Sequence, residues 1–201
     1  MHRNRLIGLL SSYTPSSLED KGVIARFQQF VAANINCFDR ELEEGHVTGS
    51  AWIVDKDRSH ALLTHHKKLD KWVQLGGHAD GDPDIFGVAL REAQEESGLH
   101  TFQSLSDQIF DVDIHLIPER KGVKAHYHYD VRFLFQADRA DPLIVSNESK
   151  ALAWIDLTHI EKYVQEPSVM RLATKGPTTQ RCYTRQNVQG WGGVQIKAEL
   201  I

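Results

Sequence analysis

Apolar residues recur at helical spacing in the first 45 residues of the chain and at strand spacing after them. Ser17 to Asp20 has the pattern of a capping box and predicts a helix start. The apolar positions of the helix that follows are Val23, Ile24, Phe27, Phe30, Val31 and Ile35. One face of this helix is therefore apolar and must pack against another part of the protein. The acidic stretch 41–45 is the predicted boundary with the main domain.

Short apolar runs separated by turn residues predict strands from residue 49 onward. The predicted strands cover residues 49–54, 61–64, 72–75, 109–116, 125–135 and 152–155. A helix is predicted from Pro83 to Ser97, because Asp82 can cap its start and Gly98 is typical of a helix end. Strands and helices are mixed without regular alternation, which predicts an α+β fold.

The length divides into three predicted parts. We expect a helical N-terminal extension over residues 1–45, a main domain over 46–165 and a C-terminal tail over 166–201, whose stretch from Gly176 lacks a clear period. The N-terminal helices can cap a pocket, complete a homodimer or pack on the sheet, and the sequence leaves these three possibilities open.

The composition is that of a folded intracellular protein. Hydrophobic residues make up 41% and charged residues 25%, which excludes a disordered chain. The formal net charge of -4 argues against a nucleic-acid or anionic-membrane partner, and no apolar run approaches the length of a transmembrane helix. Cys37 and Cys182 lack the spacing of a zinc or redox site, so we expect free thiols and a cytoplasmic location.

Three glutamates gather on the predicted helix. Glu92 meets Glu95 and Glu96 at helical spacings of three and four, which places three carboxylates along one edge. These like charges repel and oppose the helix dipole, and a hard divalent cation removes both problems. An oxygen-rich, histidine-poor edge fits Mg²⁺ or Mn²⁺ better than zinc. The alternative is a solvated acidic face on which Arg91 pairs with Glu95.

The stretch from Gly77 to Leu99 resembles the Nudix box, which has a Gly, a Glu and then Arg-Glu-aliphatic-x-Glu-Glu-x-Gly-aliphatic at fixed spacing. The matching residues are Gly77, Arg91, Glu92, Ala93, Glu95, Glu96, Gly98 and Leu99. Pro83 stands where the family has its first Glu. Asp84 falls near Arg91 on a helical wheel, so we expect Asp84 to take the place of that glutamate. The resemblance extends from about residue 48 to residue 164.

The resemblance implies an α/β/α sandwich with a mixed sheet and a metal-dependent hydrolase. Such an enzyme cleaves a diphosphate bond in a nucleoside diphosphate linked to another moiety, or in a related nucleotide. The implied ligands of Mg²⁺ or Mn²⁺ are Glu92, Glu95, Glu96 and the carbonyl of Gly76. The implied general base is Glu95 or Glu148, and the implied supporting residues are Gly77, Asp84 and Arg91.

Several other polar residues are candidates for contacts with the substrate. Alternation along one predicted strand places His126, His128, Asp130 and Arg132 on the same face. Two histidines and an aspartate at this spacing can bind a transition metal, and a sheet with one wetted face explains the alternation equally well. We favour substrate contacts for His126, His128 and Arg132.

His65 and His78 can approach phosphate from loops, and Trp72 can stack on a base. The commoner interpretation of these three residues is an exposed basic cluster and a core aromatic.

Two other functions fit the sequence less well. A non-catalytic Nudix-like ligand-binding module would explain the loss of the first box Glu at Pro83. An isopentenyl-diphosphate isomerase-like enzyme shares the fold but needs a catalytic cysteine inside the domain, and Cys37 and Cys182 both fall outside it.

Overall fold

The computed structural model describes residues 2–120 and 122–175. Within these ranges the helices are α1 (Asn4–Ser12), α2 (Leu18–Ala33), α3 (Ile85–Ser97), α4 (Pro167–Thr174) and a 3-10 helix (Leu157–Lys162). The strands are β1 (Gly45–Val54), β2 (His60–His66), β3 (Lys71–Val73), β4 (Leu75–His78), β5 (Gln103–Ser104), β6 (Asp111–Ile117), β7 (His126–Gln136) and β8 (Ser149–Asp156). The predicted aperiodic tail from Gly176, with Cys182, lies outside the described residues. None of the described helices has both the length and the apolar character needed to cross a membrane.

One mixed sheet contains all eight described strands. Its central path is β3-β2-β1-β7-β5, with β4 paired to β1, β6 to β7 and β8 to β2. Strands β1 and β7 run parallel in a continuous register from Gly45 opposite Tyr127 to Val54 opposite Gln136. The other described pairings are antiparallel.

Helices cover both faces of this sheet. On one face, α3 and the two N-terminal helices bury a core that includes Phe27, Val88 and Phe133. On the other face, α4 and the 3-10 helix bury a second core around Trp52 and Leu172. The sheet is therefore the middle layer of an α/β/α sandwich, which confirms the predicted fold class.

The N-terminal helices pack directly on the sheet. Ser17 caps α2 as predicted, because its hydroxyl accepts a hydrogen bond from the backbone N–H of Asp20 at 3.0 Å. Phe30 stacks on Tyr129 of β7 with ring centroids 3.7 Å apart. Helix α2 ends at Ala33, so Ile35 does not extend its apolar face and is 67% exposed. Of the three possibilities for these helices, the structure shows packing on the sheet.

Helix α3 begins two residues later than predicted. Its N-cap is Asp84, whose carboxylate accepts a hydrogen bond from the backbone N–H of Gly87 at 3.2 Å. Asp82, the predicted cap, instead accepts a hydrogen bond from the backbone N–H of Asp84 at 2.9 Å and orders the turn before the helix. Gly98 ends the helix in the left-handed conformation with φ 72°, as predicted.

Candidate functional site

The carboxylates of α3 meet the glycines of β4. The backbone N–H of Gly76 donates a hydrogen bond to Oε2 of Glu96 at 3.0 Å. Gly77 lies against Glu92, and a Cβ added to Gly77 would come within 2.5 Å of Glu92 Cδ. Helix α3 crosses β1 at Gly49, where an added Cβ would come within 2.9 Å of the Ile85 carbonyl oxygen. Glycines at positions 49 and 77 thus let the helix and the two strands approach closely.

The glutamates of α3 form an acidic site in which Glu96 is buried, Glu92 is half-buried and Glu95 is exposed. The pKa of Glu96 is raised to about 7, chiefly by burial. The charges of Glu92, Glu148 and Glu95 act in the same direction, and the hydrogen bond from the Gly76 N–H acts in the opposite one. Burial also raises the pKa of Glu92, on which Glu95 and Glu148 act in the same direction. Because these carboxylates crowd one another at low solvent exposure, a bound cation would stabilise their ionised forms.

Glu148 belongs to the same acidic site although it lies far from α3 in the sequence. Its loop precedes β8 and is held by Lys67, whose backbone N–H donates to the Glu148 carbonyl at 2.9 Å. The Lys67 ammonium donates to the carbonyl of Asn147 at 2.8 Å. These bonds place the Glu148 carboxylate where its charge acts on both Glu92 and Glu96. The structure therefore brings the four candidate carboxylates together.

Asp82, and not Asp84, lies beside Arg91. Arg91 Nη1 is 3.7 Å from Asp82 Oδ2, and Arg91 Nη2 is 3.4 Å from Glu92 Oε1. Asp84 instead forms an ion pair with Arg5 of α1 at 2.7 Å, since capping α3 turns its carboxylate away. The expectation that Asp84 replaces the missing box glutamate next to Arg91 is therefore wrong. In the described part of the chain, the alternative ion pair between Arg91 and Glu95 is not formed either.

Arg132 is fully enclosed and cannot contact a substrate, so its predicted role is wrong. Its side chain is 1% exposed, because α4 covers β7 at this point. Its guanidinium bonds Asp130 at 2.8 Å, Asp111 at 3.1 Å and the carbonyl of Ser168 at 3.1 Å. No local pattern indicated this enclosure, because the partner Asp111 comes from the neighbouring strand β6.

The carboxylate of Asp130 is also fully engaged in hydrogen bonds inside the protein. Besides Arg132, it accepts hydrogen bonds from the hydroxyls of Thr48 at 2.9 Å and Ser50 at 2.8 Å, both on β1. The possible metal site on β7 alone, with Asp130 beside the two histidines, is therefore not formed.

Histidines from three strands converge on one face of the sheet. His78 of β4 and His128 of β7 lie close to His46 of β1, with ring centroids 5.0 Å and 4.8 Å from it. His46 is 2% exposed, and within residues 2–120 and 122–175 neither of its ring nitrogens has a hydrogen-bond partner. Sequence analysis missed His46, although the alternation of His46, Thr48 and Ser50 along β1 was a signal that could have found it.

His65 and Trp72 lie opposite each other on β2 and β3. Their rings stack at a centroid distance of 5.1 Å, and His65 Nε2 also pairs with Asp70 at 2.9 Å. Tyr163 contacts Trp72 edge-on, so Trp72 packs partly on the second core. No contact joins either residue to the acidic site among the described residues, and their roles in substrate binding stay predictions.

Comparison with known families decides the assignment. The NUDIX domain family model matches residues 46–173. The chain belongs to the NUDIX family. The resemblance of the box from Gly77 to Leu99 is thus confirmed, and the chain is an enzyme of the Nudix diphosphohydrolase class. Members of this family generally use divalent metal ions.

Solved structures support the fold of this NUDIX domain. The chain is similar to a C. elegans Ap4A hydrolase, with 20% identity and a TM-score of 0.53, over 64% of this chain and 93% of that one. It is also similar to the E. coli dihydroneopterin triphosphate pyrophosphohydrolase, with 15% identity and a TM-score of 0.51, over 64% and 92%. No curated protein matches the chain.

The isomerase alternative finds no support in the described residues of this NUDIX domain. Cys37 is 0% exposed, and burial raises the pKa of its thiol to about 11. Such a thiol is not a nucleophile at neutral pH. Cys182 lies outside the described residues.

Proposed function

We propose that this NUDIX enzyme hydrolyses a diphosphate bond in a nucleoside diphosphate linked to another group, or in a related nucleotide, with Mg²⁺ or Mn²⁺. The observation that carries the proposal is the acidic site itself. Glu96 is 8% exposed, is held by the Gly76 N–H, and lies in the field of three further glutamates. A helix surface that served only solubility would not bury this carboxylate.

The residues present fit a hard divalent cation. Glu92, Glu95 and Glu96 would hold it with carboxylate oxygens, the ligand type that Mg²⁺ and Mn²⁺ prefer, and we assign the Gly76 carbonyl to the same set. When bound, the ion supplies charge neutralisation at the diphosphate and a water of lowered pKa. Two contacts restrain Glu92, which packs closely against Gly77 and forms an ion pair with Arg91.

Glu95 and Glu148 are the candidates for the general base. Both residues are exposed to solvent at the rim of the acidic site, so each can exchange a proton with water. Glu148 reaches the site from the loop held by Lys67, independently of the helix that supplies the metal ligands. Because Glu148 is not one of the proposed metal ligands, it can take a proton from water while all the ligands stay on the metal.

The structure weakens the case for a non-catalytic binding module. That alternative rests on Pro83 in place of the box glutamate. Asp82 supplies a carboxylate to Arg91 at 3.7 Å, so the support that the missing glutamate gives is at least partly restored. We therefore place Asp82 with Gly77 and Arg91 among the supporting residues.

Substitution of Glu96 by Gln tests the proposal. The substrates are a dinucleoside tetraphosphate, nucleoside triphosphates and nucleoside diphosphate sugars, each assayed with Mg²⁺, with Mn²⁺ and with EDTA. We expect metal-dependent turnover in the wild type and a loss of turnover of about 100-fold or more in Glu96→Gln. The variant lacks a carboxylate that holds the metal ion, and the ion is what neutralises charge in the transition state.

Glu161→Gln is the matched control, since Glu161 is exposed and lies outside the acidic site. Glu148→Gln decides between the two candidate bases, because Glu148 is not among the proposed metal ligands. If Glu148 is the base, this variant lowers kcat and keeps Mn²⁺ affinity; if its kcat stays at the wild-type value, Glu95 is the base. Absence of turnover with every substrate, or turnover that survives both EDTA and Glu96→Gln, would contradict the proposal.

Mn²⁺ affinity is expected to fall as the pH is lowered from 8 to 6. The pKa of Glu96 in the metal-free protein is about 7, so the carboxyl is mostly protonated at pH 6 and must release a proton to bind the ion. We expect a loss of about tenfold over this range, whereas a glutamate with an ordinary pKa would lose almost none. Calorimetric titration with Mn²⁺ measures it. Glu96→Gln should bind more weakly and with a flatter pH dependence, and a flat wild-type profile would contradict the assignment.

A further inference from the structure

A cluster of histidines lies on the sheet face opposite α3. Gly49 of β1 faces α3, so the alternating positions His46, Thr48 and Ser50 face the other side. The register places His128 of β7 opposite His46, and His78 of β4 opposite Thr48. One ligand atom from each of the three histidines lies within 4.8 Å of the other two, so the three rings surround a common point.

His46 is the central member and the one that needs an explanation. It is 2% exposed, and both Nδ1 and Nε2 are buried without a hydrogen-bond partner among the described residues. In the same part of the chain, Nε2 of His128 is also buried without a partner. A buried polar atom left without a hydrogen bond is unfavourable, so a cluster with three such atoms is destabilising unless something binds them.

We propose that His46, His78 and His128 bind a transition-metal ion of the Zn²⁺ class, at a site distinct from the α3 carboxylates. Imidazole nitrogens suit zinc and its neighbours in the first transition row, whereas Mg²⁺ and Mn²⁺ favour carboxylate oxygens. Zinc at about 2.0–2.1 Å from each nitrogen requires the nitrogens to be about 3.4 Å apart, so the rings rotate inward when the ion binds.

The cluster also offers a fourth position. The ring of His126 lies 5.2 Å from His46 and 5.4 Å from His128, and its Nδ1 is bonded to the Lys124 carbonyl at 2.8 Å. That bond fixes the ring and leaves Nε2 as its ligand atom for the remaining coordination position, which water can fill equally well. Three protein ligands with an open position is the arrangement of a zinc ion that can bind a further ligand.

Titration of the metal-free full chain with Co²⁺ tests the proposal. Co²⁺ reports four-coordinate nitrogen sites by an intense visible absorption band, and Zn²⁺ displaces it. We expect one equivalent of Co²⁺ to produce the band at pH 7.5, Zn²⁺ to abolish it, and a large excess of Mg²⁺ to leave it unchanged. No band in the wild type, or a band that Mg²⁺ removes, overturns the proposal without any variant being made.

Variants then locate the ion. His46→Gln and His128→Gln should each weaken Co²⁺ binding by about 100-fold or more, while His100→Gln, at an exposed histidine outside the cluster, should leave it unchanged. Glu96→Gln should keep the band and lose turnover, so failure of this site and failure of the proposed function are distinguishable. A band that survives in His46→Gln, or disappears in Glu96→Gln, overturns the proposal.

Discussion

Replacement of Arg132 by Met is expected to lower the free energy of unfolding by about 3–5 kcal/mol. Arg132 joins a buried network in which three aspartates face three cations. The aspartates are Asp111, Asp113 and Asp130, and the other cations are Arg171 and Lys175. Asp130 has Arg132 as its one ion-pair partner in the described chain, so the substitution would leave the Asp130 carboxylate with neutral donors alone. Urea denaturation measures the change.

Two further substitutions show why Arg132→Met lowers the free energy of unfolding. Arg132→Lys keeps the charge but not the planar set of donors, and should lose less stability than Arg132→Met. Arg5→Met removes an exposed ion pair with Asp84 and should change stability by less than about 1 kcal/mol. If Arg132→Met folds with wild-type stability but binds nucleotide poorly, Arg132 contacts the substrate after all.

Gly77→Ala is expected to lower turnover by about 100-fold while the protein stays folded. The new Cβ would fall 2.5 Å from Cδ and 2.9 Å from Oε1 of Glu92, the far end of a flexible side chain. The Glu92 side chain can therefore move away from the new Cβ, and β4 can keep its position. If Glu92 holds the metal as proposed, a displacement of about 1 Å takes its carboxylate out of the geometry that the site needs. Steady-state kinetics and Mn²⁺ titration measure both consequences.

Gly22→Ala is the matched control, since a Cβ at this helical position meets nothing within 4 Å. It should leave kcat unchanged and should not lower the melting temperature. Wild-type turnover and Mn²⁺ affinity in Gly77→Ala would show that Glu92 does not hold the metal.

The sequence carried enough information to predict the fold class and the acidic site. The period of apolar residues reflects burial on one face, and it located α2, α3 and the main strands to within a few residues. The spacing of Glu92, Glu95 and Glu96 follows from helix geometry alone, so their common edge was predictable. Glu148 required the family resemblance, because no local pattern connects its loop to α3.

The errors concern contacts between elements distant in the sequence. Arg132 alternates with apolar residues as a pocket residue does, and only the positions of β6 and α4 show that it is enclosed. Asp84 was placed by a helical wheel that assumed a helix start at Pro83, and a start two residues later turns it towards Arg5. The alternation along β1 could have singled out His46, but its neighbour His128 is set by the parallel register of β1 and β7.

The parallel pairing of β1 and β7 has a consequence for how the chain folds. Gly45 pairs with Tyr127 and Val54 with Gln136, so the centre of the sheet joins segments far apart in the chain. Closing such a long loop costs entropy before any contact repays it, and folds rich in distant contacts form slowly. Both β4 and α3 lie inside this loop. Because β4 pairs with β1 directly, the contacts of Glu92 and Glu96 with β4 need no β7. Glu148 follows β7 in the chain, so a chain interrupted before residue 126 lacks both the parallel partner of β1 and the fourth carboxylate of the acidic site.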